Sequence, residues 1–415
     1  MPSSAGPNTA GESNLVFAYD LGDAVNSYKG EPTTNTVRYS NNVTGSNYGY
    51  NNEYEACQLV KTWIPNLSTP LGYGATQLTQ QAVNSYWHCL NWFDGDEDGK
   101  RCLSAFIYPL TSGITNFFLG MVGDAGNGVF FNLDTLAITY GAGLSNTNAF
   151  INPVIGYPGW YRVGANIEGR VGGWVASVGI GQYQEYTPTT PFKSFYLCGL
   201  QYERGGPTHV TQPLPSLNGT ATTRSSTQGL LPLVGSTSIN LNSVSFDSNA
   251  QMVFDGTNDY INLGLLNITN TPFTYETVIK TDSITGGYAW ILGKVGFNMG
   301  LNRYDNYIKF FLYDSSNNLY SAEGGTLNTS SYYHVVGVFT GGNLLLYING
   351  VLISASGGIA TPRNYDGQTT YVGTPNASDL YYQGQIPIVK IYNRALTTSE
   401  VQQNYQVYKS RFNLT

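Results

Sequence analysis

The 415-residue sequence predicts an all-β protein made of two β-sandwich modules, with one short C-terminal α-helix. Three observations carry this. Charged residues make up 11% of the chain, against about 25% in an ordinary soluble domain, while 49 glycines and 33 tyrosines suit short strands, tight turns and a neutral polar surface. Apolar or alternating runs of strand length recur along most of the chain, bounded by turn residues. Convincing helical periodicity is found at one place, near the C-terminus.

Residues 1–13 are rich in Pro, Gly, Ser and Asn and read as a flexible N-terminal arm, either simply mobile or an attachment arm on a larger assembly. Strands are expected at Asn14-Leu-Val-Phe-Ala-Tyr, Phe117-Phe-Leu-Gly-Met-Val, Trp174-Val-Ala-Ser-Val-Gly-Ile and Phe195-Tyr-Leu-Cys-Gly-Leu. Later ones fall at Tyr275-Glu-Thr-Val-Ile-Lys, Tyr307-Ile-Lys-Phe-Phe-Leu-Tyr, Val335-Val-Gly-Val-Phe and Leu344-Leu-Leu-Tyr-Ile. Strands at this short spacing, with Gly-containing turns, favour sandwiches over parallel α/β sheets. A break lies at Glu31-Pro-Thr-Thr-Asn, and Gln212-Pro-Leu-Pro-Ser-Leu-Asn-Gly-Thr is the clearest linker. Near the end, Thr397-Thr-Ser-Glu400 has capping-box spacing. Val401, Tyr405, Tyr408 and Phe412 then share one helical face, as a cover for the sandwich edge or a dock for a neighbour.

Composition excludes several classes. The net charge is −7 and no Lys/Arg run exists, so the electrostatic footprint of a nucleic-acid binder is missing. No stretch approaches the roughly 18 apolar residues of a membrane span, and the first residues lack the basic and apolar regions of a signal peptide. An extracellular type of composition without an export signal fits a viral product made in the host cytoplasm and released by lysis. Cys57, Cys89, Cys102 and Cys198 form no CxxC pair and the three histidines are dispersed, so buried thiols are expected rather than a zinc site.

Three motifs carry a resemblance. Val253-Phe-Asp-Gly-Thr-Asn-Asp-Tyr-Ile-Asn-Leu-Gly264 reads as a strand entering an Asp-Gly/Asn-Asp turn. Tyr333 to Leu352 reads as two apolar strands joined at Gly341-Gly342, with Asn349-Gly350 turning into a third. The chain closes on Ile391-Tyr-Asn-Arg-Ala-Leu-Thr-Thr-Ser-Glu-Val-Gln-Gln-Asn. In order and spacing these resemble the concanavalin A-like, laminin G-like superfamily in its phage and bacterial branch. The resemblance implies a jelly-roll sandwich, often used to hold polysaccharide or another protein. Asn14 to Tyr28 looks like the opening strand of the same family and Arg224 to Gly235 like its continuation. Residues 14–34 plus 222–415 are therefore expected to form a discontinuous laminin G-like sandwich, and 35–215 a jelly-roll domain inserted into its first loop. The insert carries Gly159-Trp-Tyr-Arg-Val and, further on, Gly199-Leu-Gln201-Tyr-Glu203. Both resemble the carbohydrate-binding-module-like jelly roll of phage fibre and head proteins, with Cys198 in place of the usual aromatic residue.

Among candidate sites, Asp94, Asp96 and Asp98 in Asp94-Gly-Asp-Glu-Asp-Gly99 form either a calcium loop or an exposed acidic turn. An EF-hand needs Glu at the position held by Ala105. No cofactor is otherwise required. Glu276 sits on a strand where sandwich glucanases carry paired acids, but Thr277 and Val278 follow it, so the second carboxyl of a glycosidase is absent. His334 reads as a structural part of its strand, and no catalytic residue is assigned. Trp87, Trp92, Trp160, Trp174 and Trp290 are candidates for stacking on sugar rings, against the alternative that they are core. Tyr48-Gly-Tyr50 and Tyr381-Tyr382 are candidate protein-interface anchors.

The expected function is that of a non-enzymatic phage virion structural protein, exposed as a capsid decoration or a fibre appendage. Its partners are then other capsid or tail proteins, host surface polysaccharide and copies of itself, with no nucleic acid and no membrane. A receptor-binding tail fibre with polysaccharide depolymerase activity and a bacterial surface adhesin are the rivals.

Overall fold

The computed structural model describes residues 12–37, 42–43, 56–83, 85–93, 100–122, 128–141, 149–168, 175–204, 210–215, 221–247, 251–266, 268, 272–295 and 299–415. The protein is all-β, with jelly-roll sandwiches and a single C-terminal helix among these residues. It divides into two compact units, Met1–Pro32 with Ser225–Asp247 and Gln251–Thr415, and Thr33–Arg224 with Ser248–Ala250.

In the first unit one sheet runs in the order Ser245–Phe246, Met252–Asp255, Gln383–Tyr392, Phe273–Thr281, Tyr333–Phe339, Asn343–Ile348 and Val351–Gly357. Leu15–Asp20 also pairs antiparallel with Gln383–Tyr392, so the start of the described chain is zipped to its end. The facing sheet runs Ile261–Leu265, Thr369–Val372, Tyr288–Lys294, Met299–Tyr304, Tyr307–Tyr313 and Leu319–Gly324. Side chains alternate across a strand, so Phe273, Tyr275 and Ile279 from one sheet meet Leu301, Ile308 and Phe310 from the other in a single core. Phe310 lies close over the backbone of Gly337, where a Cβ would come within 2.6 Å of its ring. A glycine here lets the aromatic ring fill the centre of the sandwich.

The turns follow the local chemistry expected of them. Asp255 Oδ1 accepts from the Thr257 N–H at 2.7 Å, and buried Asp259 accepts from the Asp255 and Ser245 N–H groups at 2.9 and 3.0 Å. Asn349 and Gly350 both take positive φ, 50° and 76°, as a tight hairpin between Asn343–Ile348 and Val351–Gly357 requires. The helix Thr398–Phe412 begins with the capping box: Thr397 accepts from the Glu400 N–H, and Glu400 accepts from the Thr397 N–H at 2.8 Å. Its Val401, Tyr405, Tyr408 and Phe412 are buried. They cover the outer face of the first sheet, where Tyr408 and Phe412 pack with Val278 and Ile388, and not merely its edge.

In the second unit the sheet Ile138–Tyr140, Gly128–Phe131, Phe117–Val122, Val175–Tyr186, Ser85–Phe93, Ala56–Cys57 faces Ala149–Pro153, Tyr161–Glu168, Lys100–Pro109, Ser194–Arg204, Ala75–Gln80, Leu59–Ile64. Between them lies a core containing Leu103, Phe117, Val163, Val178 and Phe195.

Three details correct the sequence reading. Thr33, Thr34 and Thr222–Arg224, expected in the first module, fall instead in the second unit, where Thr33–Asn35 pairs with Thr222–Arg224. Residues 212–214 are not a free linker, because the Leu214 N–H donates to Gln201 Oε1 at 2.7 Å and its carbonyl accepts from Asn35 Nδ2 at 2.9 Å. At the other end, Glu12 and Ser13 are tied down rather than part of a flexible arm: Lys390 Nζ lies 2.7 Å from Glu12 Oε1, and Arg394 Nε donates to the Ser13 carbonyl at 2.9 Å.

Replacing Phe310 with Ala is expected to destabilise the first unit by about 3–5 kcal/mol, read as a lower urea midpoint of its unfolding transition. The Cys198 thiol, pushed up to about 12 mainly by burial, is expected to resist alkylation by iodoacetamide in the native protein at pH 8 and to react at once in denaturant.

Candidate functional site

Glu276 is the carboxylate whose position on the strand most invites a catalytic reading, and its surroundings are internal. It is fully buried on the face of Phe273–Thr281 that the C-terminal helix covers. His334 Nε2 donates to Glu276 Oε1 at 2.8 Å from the neighbouring strand, where Val278 and not Glu276 is the direct register partner of His334. Asn404 of the helix donates to Oε2 at 2.9 Å. The Tyr392 hydroxyl lies 3.0 Å from the same oxygen and 2.5 Å from Glu12 Oε2. Lys390, directly across from Glu276 in register, completes the cluster through Glu12. Burial acting alone raises the Glu276 pKa, but the His334 hydrogen bond and the Lys390 charge outweigh it and hold the carboxyl below its ordinary range. Both oxygens of the Glu276 carboxylate are thus engaged, Oε1 by His334 and Oε2 by Tyr392 and by Asn404 of the helix. The site fastens the helix to the sandwich.

A second buried network does the same for the other unit. In Gly199-Leu-Gln201-Tyr-Glu203, Glu203 accepts from the Thr211 hydroxyl at 2.6 Å and from Thr33, and Gln201 Nε2 donates to the Thr211 hydroxyl at 2.8 Å. The Gln-x-Glu alternation puts both side chains on one face of the strand. There they grip the segments by which the chain comes into and leaves the unit. Burial raises the Glu203 pKa, opposed by its hydrogen bonds from Thr211, Thr33 and Gln201.

Of the tryptophans proposed for glycan stacking, the two whose side chains are described, Trp160 and Trp290, are both buried. Trp290 is 0% exposed: it lies over Gly293 and Gly300, whose missing Cβ atoms make its slot, and meets Phe311 edge-on at 5.7 Å. Trp160 is 5% exposed and packs against Tyr108 at 5.8 Å, near Phe106 and Cys198. Neither offers a ring face to a sugar, which corrects that expectation for both. Trp87 and Trp92 belong to the strand Ser85–Phe93, and Trp174 with Asp94, Asp96 and Asp98 lies outside the described residues. Tyr48 and Tyr50 also lie outside them. Tyr382 is core, 0% exposed and edge-on to Phe254 at 6.3 Å, so it is no interface anchor.

Two surface features were not singled out in the sequence. Register brings Tyr288, Tyr304 and Tyr307 into one row across three strands, with ring centroids 4.5 and 5.4 Å apart, beside the Lys309–Glu323 ion pair at 2.9 Å. On the first unit a cleft of about 540 Å³ runs between the segment 237–243 and the strand Ile261–Leu265. Its walls carry Ser238, Asn240, Asn242 and Asn262, with Tyr260 and Leu265 alongside. The signal for the cleft was present as alternation: Ile239, Leu241 and Val244 are buried while Ser238, Asn240 and Asn242 are exposed.

Residues 255–402 match the concanavalin A-like lectin/glucanases superfamily, in its laminin G form. No curated protein matches the chain. Among solved structures the chain is similar to the binding domain of botulinum neurotoxin serotype G, at 16% identity and a TM-score of 0.38 over 44% of this chain and 49% of that one. It is also similar to the receptor-binding domain of botulinum neurotoxin D, at 17% identity and a TM-score of 0.36 over 44% and 51%. A third is the serotype D ligand-binding domain in complex with N-acetylneuraminic acid, at 18% identity and a TM-score of 0.36 over 44% and 49%. The chain spans about half the length of each.

Glu276→Ala strands His334 and Asn404 in a buried site and is expected to cost about 3–5 kcal/mol of stability in the first unit. Because the Glu276 pKa is depressed on folding, its contribution is complete above the ordinary value of 4.5 and is lost as pH falls through the lower folded value. Urea titrations of the wild type from pH 6 to pH 3 are expected to show a declining midpoint for this unit. That decline is expected to be shallower in Glu276→Gln.

Proposed function

We propose that the chain is a non-enzymatic structural component exposed on a bacteriophage particle, a capsid decoration or small fibre appendage that holds host-surface glycan. The observation that carries the binding half of this reading is the burial of Glu276. On a lectin/glucanase sandwich a hydrolase needs two carboxyls facing substrate, whereas here the acid on the expected strand lies beneath the C-terminal helix and is spent on His334, Tyr392 and Asn404. A surface of neutral amides, hydroxyls and tyrosines, with 11% charged residues in the whole chain, suits adhesion to polysaccharide.

The virion half rests on the low-charge, tyrosine-rich composition and on the resemblance of the three laminin G-like motifs to the phage branch of that superfamily. In this reading the protein is made in the host cytoplasm and assembles, as a homo-oligomer, on other capsid or tail proteins. Calcium at Asp94, Asp96 and Asp98 remains part of the proposal, and a rise in melting temperature on calcium addition is its expected sign.

Immunogold electron microscopy of purified particles, with antibody against the recombinant chain, tests the location. Label over heads supports a decoration, label at tail or fibre tips supports an appendage, and unlabelled particles overturn the virion role. Incubation with host polysaccharide is expected to leave its chain length unchanged by size-exclusion chromatography. Shortening of the polymer overturns the non-enzymatic reading.

A further inference from the structure

We infer that the cleft between residues 237–243 and the strand Ile261–Leu265 is a binding site for a neutral oligosaccharide, which deepens the glycan-binding reading above and rests on it. Both walls are built by the same device. In Ser238-Ile-Asn-Leu-Asn242 the apolar residues Ile239 and Leu241 enter the core and the polar ones face out, and in Ile261-Asn-Leu-Gly264 the residues Ile261 and Leu263 enter it while Asn262 faces out. The Tyr260 N–H donates to the Ser243 carbonyl at 2.6 Å, which holds the two walls at a fixed separation.

The amides are oriented before any ligand arrives. Asn262 Oδ1 accepts from the Gly264 N–H at 2.8 Å, and Asn240 Oδ1 accepts from the Asn242 N–H at 2.9 Å. Each amide is thereby anchored through its oxygen, and both residues line the cleft. The hydroxyls of Ser238 and Ser243 both donate and accept, which matches the hydroxyls of a pyranose. Tyr260 and Leu265, the latter 62% exposed, supply the apolar surface that the C–H face of a sugar requires. Tyr260 is held edge-on to Tyr371 at 6.0 Å, which steadies its ring.

Charge sets the class of sugar. None of the described residues lining the cleft is Lys, Arg, His, Asp or Glu. A sialic acid, uronic acid or phosphorylated sugar placed here gives up hydration of its anion with no cation in return, which is costly. A neutral hexose or N-acetylhexosamine chain gives up only hydroxyl and amide hydration, and the walls replace it.

The test uses the full chain on an array of immobilised oligosaccharides, with neutral glucose, galactose, mannose and N-acetylglucosamine chains beside sialylated and uronic-acid ones. Binding to one or more neutral chains is expected. Asn262→Asp keeps the oxygen that accepts from Gly264, removes the NH2 donor and adds a negative charge. It is expected to weaken binding by about tenfold or more, equivalent to about 1.4 kcal/mol, at an unchanged melting temperature. Ser238→Trp, at an exposed position, is expected to do the same by filling the cleft, and Tyr304→Ala, in the tyrosine row, to change nothing. Neutral-chain binding that survives both cleft variants, or that falls with Tyr304→Ala alone, overturns this site and leaves the glycan-binding function standing. Binding confined to acidic chains overturns the neutral class. Absence of binding across the whole array overturns this site together with the glycan-binding reading.

Discussion

The first unit depends on the pairing of Leu15–Asp20 with Gln383–Tyr392, two strands separated by most of the chain. Gln383–Tyr392 also pairs with Phe273–Thr281 and Met252–Asp255, so it lies at the centre of its sheet. A central strand needs partners along both edges to satisfy its backbone groups, and the N-terminal strand supplies one of them. The Tyr19 hydroxyl reinforces the pairing by donating to the Ile386 carbonyl at 2.9 Å. Arg411 of the helix joins it too, reaching Asp20 at 2.6 Å through a guanidinium that occupies the space a side chain on Gly22 would take.

From that pairing follows the chemistry of the covered face. Tyr392 and Lys390 project from the central strand, Glu276 from the strand beside it, His334 from the next one across, Asn404 from the helix and Glu12 from just before the N-terminal strand. Polar groups shut away from water must find one another, and here six residues do so beneath a helix. The Glu276 carboxylate is therefore a fastening. The opposite sheet carries a cleft without charged side chains at one border and a row of tyrosines across its strands.

The second unit shows the same economy at a smaller scale. Gln201 and Glu203, from the motif that resembles a carbohydrate-binding module, hold Thr33, Thr211 and Leu214, while the backbone N–H of Tyr202 between them donates to Asn35 Oδ1. Their role is to pin the two chain segments that bound the unit, where a loose junction would fray.

Features set by neighbours a few positions apart were legible in the sequence. The alternating strands, the Asn349-Gly350 turn, the Asp255–Asp259 turn and the Thr397–Glu400 cap each arise from local hydrogen bonds or from side-chain period, and each is visible in a short window. The buried helical face of Val401, Tyr405, Tyr408 and Phe412 belongs with them. What surrounds a side chain after strands have paired was not legible. Trp290 is core because Gly293 and Gly300, from adjacent strands, open a slot beneath it, and Tyr288, Tyr304 and Tyr307 form a row only through cross-strand register. Thr33 and Thr34 change unit together with Thr222–Arg224, because the two segments, far apart in the chain, pair with each other in the second unit. Composition and periodicity determined that this protein is a neutral-surfaced β-sandwich chain with a capped terminal helix. Long-range register alone decided which polar groups are fastened inside and which are left at the surface, because pairing between strands distant in sequence is set by the whole core and not by any local segment.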